Sequence, residues 1–149
     1  MCKVRKLPRG VRNNNPGNIR KTPINWQGET ESDQEKAFEV FERPEDGLRA
    51  LMKLLLTYYA KYQLDTVHSI INRWAPPVEN ATDAYAFSVA KRLGVRRTDV
   101  IDVTDPRILK ALAQAIVIHE NGHPPKTYPD AWYPDATYDL AVSRALGLN

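Results

Sequence analysis

At 149 residues, 42% hydrophobic and 26% charged, the chain has the make-up of an ordinary folded domain rather than a disordered or fibrous one. Its one cysteine, Cys2, rules out a disulfide within the chain, and no apolar run is long enough to span a bilayer. A net charge of +3 suits an anionic partner, but no zinc-finger spacing, phosphate loop or aromatic RNA-binding signature argues for nucleic acid.

Residues 1–10 read as a basic arm on one domain that covers residues 1–149. The arm lacks the apolar stretch of a signal peptide, so export is expected to need another route. Arg9 to Thr22 reads as a polar opening loop, because its asparagines, Pro16 and Gly17 favour turns. Trp26 to Phe41 alternates weakly and carries turn residues, which predicts a small hairpin or irregular β-lobe. Pro44 opens a long helix to about Tyr62, with Leu48, Leu51, Leu55 and Tyr59 on one stripe. Asp65-Thr66 caps a short helix through Trp74, which ends at the rigid Ala75-Pro76-Pro77 turn. Thr82 or Asp83 caps a further helix with Tyr85, Val89 and Leu93 inward, closed by Gly94.

The next helix carries the most chemistry. Asp105-Pro106 supplies its cap and first residue, and Ile108, Leu109, Leu112, Ala113, Ile116 and Val117 recur at helical spacing. Gly122 and Pro124-Pro125 end it, which leaves Glu120 in the last turn. There the negative end of the helix dipole and an apolar stripe both disfavour ionisation, so the carboxyl is expected to hold its proton towards neutral pH. A protonated carboxyl is what a general acid of glycoside cleavage needs. The plainer alternative is a solvated glutamate at a frayed helix end. After a Pro- and aromatic-rich excursion through Trp132 and Tyr133, a last helix from about Asp135 to Leu146 finishes the chain.

His119-Glu120-Asn121-Gly122-His123 also matches the H-E-x-x-H pattern of zinc peptidases. Gly122 and the prolines break the helix that would hold both imidazoles, so zinc is the lesser reading and no metal or other cofactor is expected. Trp26 and Trp74 offer aromatic faces for sugar rings, against ordinary packing as the alternative. Asn15 and Asn18 are candidate donors to a substrate N-acetyl group, against a role in the Pro-Gly turn they flank.

A second motif series lies at the other end of the chain. Asn14-Asn15-Pro16-Gly17-Asn18-Ile19-Arg20 is followed by Trp26-Gln27-Gly28, Thr30-Glu31, Phe38-Glu39-Val40-Phe41 and Pro44-Glu45-Asp46-Gly47. The series resembles a segment of bacterial wall-cleaving glucosaminidases and related lysozyme-like enzymes, where it follows a helix ending A-Q-A-x-L-E-S-G. Here the helix with Ala113-Gln114-Ala115 and Glu120-Asn121-Gly122 comes after the segment, as in a circularly permuted domain. The chain also resembles small phage virion and endolysin proteins that carry R-N-N-N-P-G-N-I-R near the start and R-W-A-P-P-x-E-N in the middle. Those motifs stand here at Arg12 to Arg20 and Arg73 to Asn80.

The resemblance implies a mainly α (α+β), lysozyme-like helical domain with a small β-hairpin lobe. It implies Glu120 as general acid and puts Glu31 where a second carboxylate would stabilise an oxocarbenium-like centre or position water. The acidic run Glu29, Glu31, Asp33, Glu35 is equally a solvated face. Tyr85 resembles a cleft-lining tyrosine of those families, against a core tyrosine with its hydroxyl at the rim. The implied function is cleavage of peptidoglycan glycan strands by a muramidase, glucosaminidase or lytic transglycosylase. The implied setting is a monomer in a phage virion or host cytoplasm, released to the periplasm or wall, with peptidoglycan as partner and no membrane insertion. A non-catalytic virion or wall-docking protein and a zinc peptidase of wall peptides are the alternatives.

Overall fold

A computed structural model describes residues 7–32, 35–77 and 81–148. The tip of the basic arm with Cys2, Asp33 of the acidic run and the last three residues of the Arg73 to Asn80 motif lie outside them. The chain is mainly α with a two-stranded antiparallel sheet. Its elements are α1 (Arg9–Arg12), β1 (Glu29–Thr30), β2 (Val40–Phe41), α2 (Pro44–Tyr62) and α3 (Val67–Trp74), followed by α4 (Thr82–Leu93), α5 (Pro106–Asn121) and α6 (Asp135–Leu146). A 3-10 turn at Asp130–Trp132 precedes α6.

The helices start and stop where local chemistry dictates. Thr66 caps α3 by accepting from the Ser69 backbone N–H at 3.0 Å, and the Ser69 hydroxyl answers the Thr66 N–H, a reciprocal capping box. Asp105 accepts from the Arg107 N–H at 2.9 Å, and Pro106 sits at the first helical position of α5. The expected cap at Thr82 or Asp83 is not formed. Ala81 is the cap residue, and Thr82, already helical, donates its hydroxyl to the Ala75 carbonyl, which ties α4 to the end of α3.

The core is a helix-on-helix layer. α2 packs on α6, and α4 packs on both α3 and α5. Leu51 and Leu55 of α2, Ile70 and Ile71 of α3, Val89 of α4, and Leu112 and Ile116 of α5 are fully or almost fully buried together. Burial of such side chains stabilises the fold by roughly 1.5–3 kcal/mol each. A smaller cluster of Ile19, Phe41 and Ala50, flanked by Trp26, Leu54 and Trp74, joins the β-lobe to α2.

The Arg9 to Thr22 stretch is more ordered than a loop. It opens with α1 and then runs beside the second strand: Phe41 N–H donates to Asn13 C=O and Glu39 N–H to Ile19 C=O, both at 2.9 Å. Asn15 is the keystone of this segment. Its amide donates to the Ile19 and Glu39 carbonyls at 3.0 and 2.9 Å, and its oxygen accepts from the Ile19 N–H at 3.0 Å. Asn14 and Asn18 both take left-handed backbones (φ 51°), which asparagine tolerates better than most residues.

This segment docks on the end of α5, far away in sequence. The Asn121 amide donates to the Pro16 carbonyl at 2.8 Å. Gly10 makes the approach possible, since a Cβ there would lie 2.5 Å from the Asn121 side-chain oxygen and 2.9 Å from the Asn18 oxygen. Gly47 serves the same purpose at the start of α2, where a Cβ would lie on top of the Asn14 carbonyl.

Candidate active site

Glu120 lies in the last turn of α5, half-buried, at the edge of a groove of about 470 Å³. One wall of the groove is the asparagine segment, with Gly17, Asn18, Ile19 and Arg20. The β-lobe and its approach contribute Thr22, Trp26 and Phe38, while α2 contributes Leu54 and Tyr58. Trp74 and Ala75 complete the lining from the end of α3.

The carboxyl is held by two neutral donors. The Tyr85 hydroxyl donates to Glu120 Oε2 at 3.2 Å, and the Asn18 side chain supplies a second hydrogen bond. The Trp74 indole N–H in turn donates to the Tyr85 oxygen, so groove wall, buried tyrosine and carboxyl form one relay. Burial pushes the Glu120 pKa above the ordinary glutamate value, and the two hydrogen bonds offset part of that rise. Burial, then the adjacent Glu120 charge, pushes the Tyr85 hydroxyl far upward, so it stays a donor at every accessible pH. Such a carboxyl, protonated higher in pH than a free glutamate and opening on a groove, is equipped to give a proton to a bound oxygen.

His119 stacks on Tyr85, with ring centroids 3.5 Å apart and planes 16° from parallel. Burial lowers its pKa, so the imidazole stays neutral to lower pH than a free histidine. The H-E-x-x-H reading fails on geometry. The helix ends at Asn121, Gly122 with its positive φ (φ 80°, ψ 174°) carries His123 off the helical path, and His119 is engaged with Tyr85. Among the described residues no group of three His, Cys, Asp or Glu side chains is placed to hold a metal ion.

The other sequence candidates separate cleanly. Trp26, Trp74 and Asn18 line the groove. Asn15 does not, because it is fully buried and its side chain is hydrogen-bonded to the backbone of Ile19 in its own segment and of Glu39 in the β-lobe, so its assignment to substrate is corrected to a structural one. Tyr85 is only 1% exposed and is not part of the groove lining, so the cleft-lining reading gives way to the core alternative, a buried tyrosine whose hydroxyl meets Glu120. Glu31 is exposed just after β1 and is not part of the groove lining, which leaves Glu120 as the lining's one carboxylate among the described residues.

Thr22, Leu54 and Tyr58 line the groove without having been singled out from sequence, and Arg20 and Phe38 stood there only as members of the motif series, with no site role. For the α2 pair a signal exists: Ala50, Leu54, Tyr58 and Tyr62 recur every four residues, a second stripe beside the core stripe.

Among the described residues no helix is long and apolar enough to cross a membrane. No protein-family model matches the chain. It is 39% identical over 131 residues to Protein P5 of Pseudoalteromonas phage PM2, a match that covers 85% of this chain and 79% of that protein. Identity of this degree over this span means that the chain belongs to the family of that phage protein.

Proposed function

We propose that the protein cleaves the β-1,4-linked glycan strands of peptidoglycan, with Glu120 as general acid. The observation that carries this reading is the position of Glu120: a half-buried carboxyl, disfavoured as an anion, at the edge of an aromatic-lined groove. Trp26 and Trp74 offer apolar faces to pyranose rings, and Asn18 stands beside the acid. The resemblance to lysozyme-like enzymes, with the acid helix after the asparagine segment instead of before it, supports the same reading. Relationship to a phage protein suits an enzyme that acts on a bacterial wall, carried in a virion or released from the host.

In this reading Glu120 gives its proton to the glycosidic oxygen as the C1–O bond breaks, leaving an oxocarbenium-like sugar. Retaining and inverting glycosidases use a second carboxyl at about 5–5.5 Å or 6.5–9.5 Å. Glu120 is the lining's one carboxylate among the described residues, which favours a substrate group as the trap. The muramyl 6-hydroxyl then attacks C1 and gives its proton to the Glu120 carboxylate, which closes a 1,6-anhydro ring and restores the acid.

The test is to incubate purified protein with peptidoglycan and weigh the soluble muropeptides. Ends lighter by one water than a hydrolysed reducing end are expected. Ordinary reducing ends would keep the glycan reading but return the second step to water. Intact strands would leave the protein a wall-docking or virion component.

A further inference from the structure

The groove lining contains two side chains that carry full charge when ionised, Glu120 and Arg20. The Arg20 guanidinium lies 5.0 Å over the Phe38 ring, itself part of the lining. Arg9 sits 4.9 Å over the same ring and pairs with Glu35 at 3.6 Å. A similar arrangement stands on α2, where the Arg73 guanidinium lies 3.8 Å from the Tyr62 ring centre and 5.2 Å from that of groove-lining Tyr58. Among the described residues neither Arg20 nor Arg73 forms an ion pair with a carboxylate.

A guanidinium laid on an aromatic ring is fixed in orientation, while its edge N–H groups remain available for a carboxylate in bidentate geometry. Simple solvation explains a surface arginine, but it does not explain two laid on aromatic rings without acidic partners, Arg20 in the groove lining and Arg73 beside it, next to groove-lining Tyr58. A neutral polysaccharide offers such arginines hydroxyl and amide oxygens but no charge to pair. A glycan with acidic branches offers that charge.

We propose that Arg20 and Arg73 read carboxylates on groups that branch from the glycan, so that the groove selects an acidic, peptide-bearing strand over a neutral one. The inference rests on the glycan-cleavage reading and adds a selectivity to it.

Binding measured by calorimetry on Glu120→Gln protein, which consumes no ligand, tests it. Three probes are used: a soluble peptide-bearing muramyl oligosaccharide, the same compound with its peptide carboxylates amidated, and an N-acetylglucosamine oligomer of equal length. The acidic form is expected to bind about tenfold tighter than the amidated form, as one charge-assisted contact would give. Arg20→Met with Arg73→Met is expected to collapse that ratio towards one, and Arg20→Lys with Arg73→Lys to keep only part of it. Both arginines are exposed, and circular dichroism verifies that each variant folds. Equal affinity for the acidic and amidated forms, or a ratio that survives both methionine substitutions, overturns the inference and leaves glycan binding standing. Failure of all three probes to bind overturns the glycan reading itself and the inference with it.

Discussion

The end of α5 and the β-lobe both carry glutamates, and the contrast between them shows what turns a carboxylate into a candidate acid. Glu120 is half-buried, faces a groove and accepts from two neutral side chains. Glu31 is exposed and is not part of that groove's lining. Glu39 is the instructive third case: it is fully buried, and burial together with the Glu29 carboxyl beside it raises its pKa. A raised pKa is therefore not enough. Glu39 lies inside the packing of the lobe, off the groove lining, whereas Glu120 meets the groove at the point where the asparagine segment and α5 converge.

The sharpest way to break this contrast is to remove the acid. Glu120→Gln keeps the shape and is expected to lower turnover of purified wall by about 10³-fold, the scale of a lost general acid. Its stability should not fall. A carboxyl whose folded pKa lies above its unfolded value contributes nothing below both pKa values and costs the folded state free energy as pH rises through them. Glutamine removes that cost, so at neutral pH the variant should be at least as stable as the parent, with the difference closing in acid. Thermal melting at several pH values checks this.

A second comparison sets the two loop asparagines against each other. Asn15→Ala strips partners from three buried backbone groups and should cost on the order of 3 kcal/mol in denaturant unfolding. Asn18→Gly keeps the left-handed backbone and removes a donor to Glu120, so it should shift the pH–rate profile upward far more than it lowers stability. The smallest effect belongs to the lobe: Glu31→Gln should change turnover by less than about twofold, within the range of an exposed surface substitution. A large loss there would make Glu31 a working partner and would erase the distinction between the two regions.

The helices were legible because their signals are local. Proline at the first position, side-chain caps and apolar stripes marked α2, α3 and α5 from the sequence alone. α1 was not, since four residues are too few to show a period. Glu120 was legible for the same local reason, at the end of a well-marked helix. Which individual residues would surround it was not. Arg20, Phe38 and Tyr58 reach one groove only through tertiary packing, and Asn15 and Asn18, three residues apart, differ only in which way the folded segment turns them. For Tyr85 the sequence left a cleft-lining and a core reading open, and its position in α4 buries it with its hydroxyl on the carboxyl, a placement that depends on how α4 packs on α5.

The most direct measurement is the titration of Glu120 itself, followed by carboxyl-carbon NMR alongside the pH dependence of wall cleavage. Glu120 should titrate above the ordinary glutamate value, because burial outweighs its two hydrogen bonds. Cleavage requires the protonated form, so the rate should fall as pH rises through that same value. Coincidence of the two midpoints, with Asn18→Gly moving both upward together, is the predicted result. A Glu120 that titrates at or below the ordinary value, or a rate that continues unchanged after it has ionised, would contradict its role as the acid.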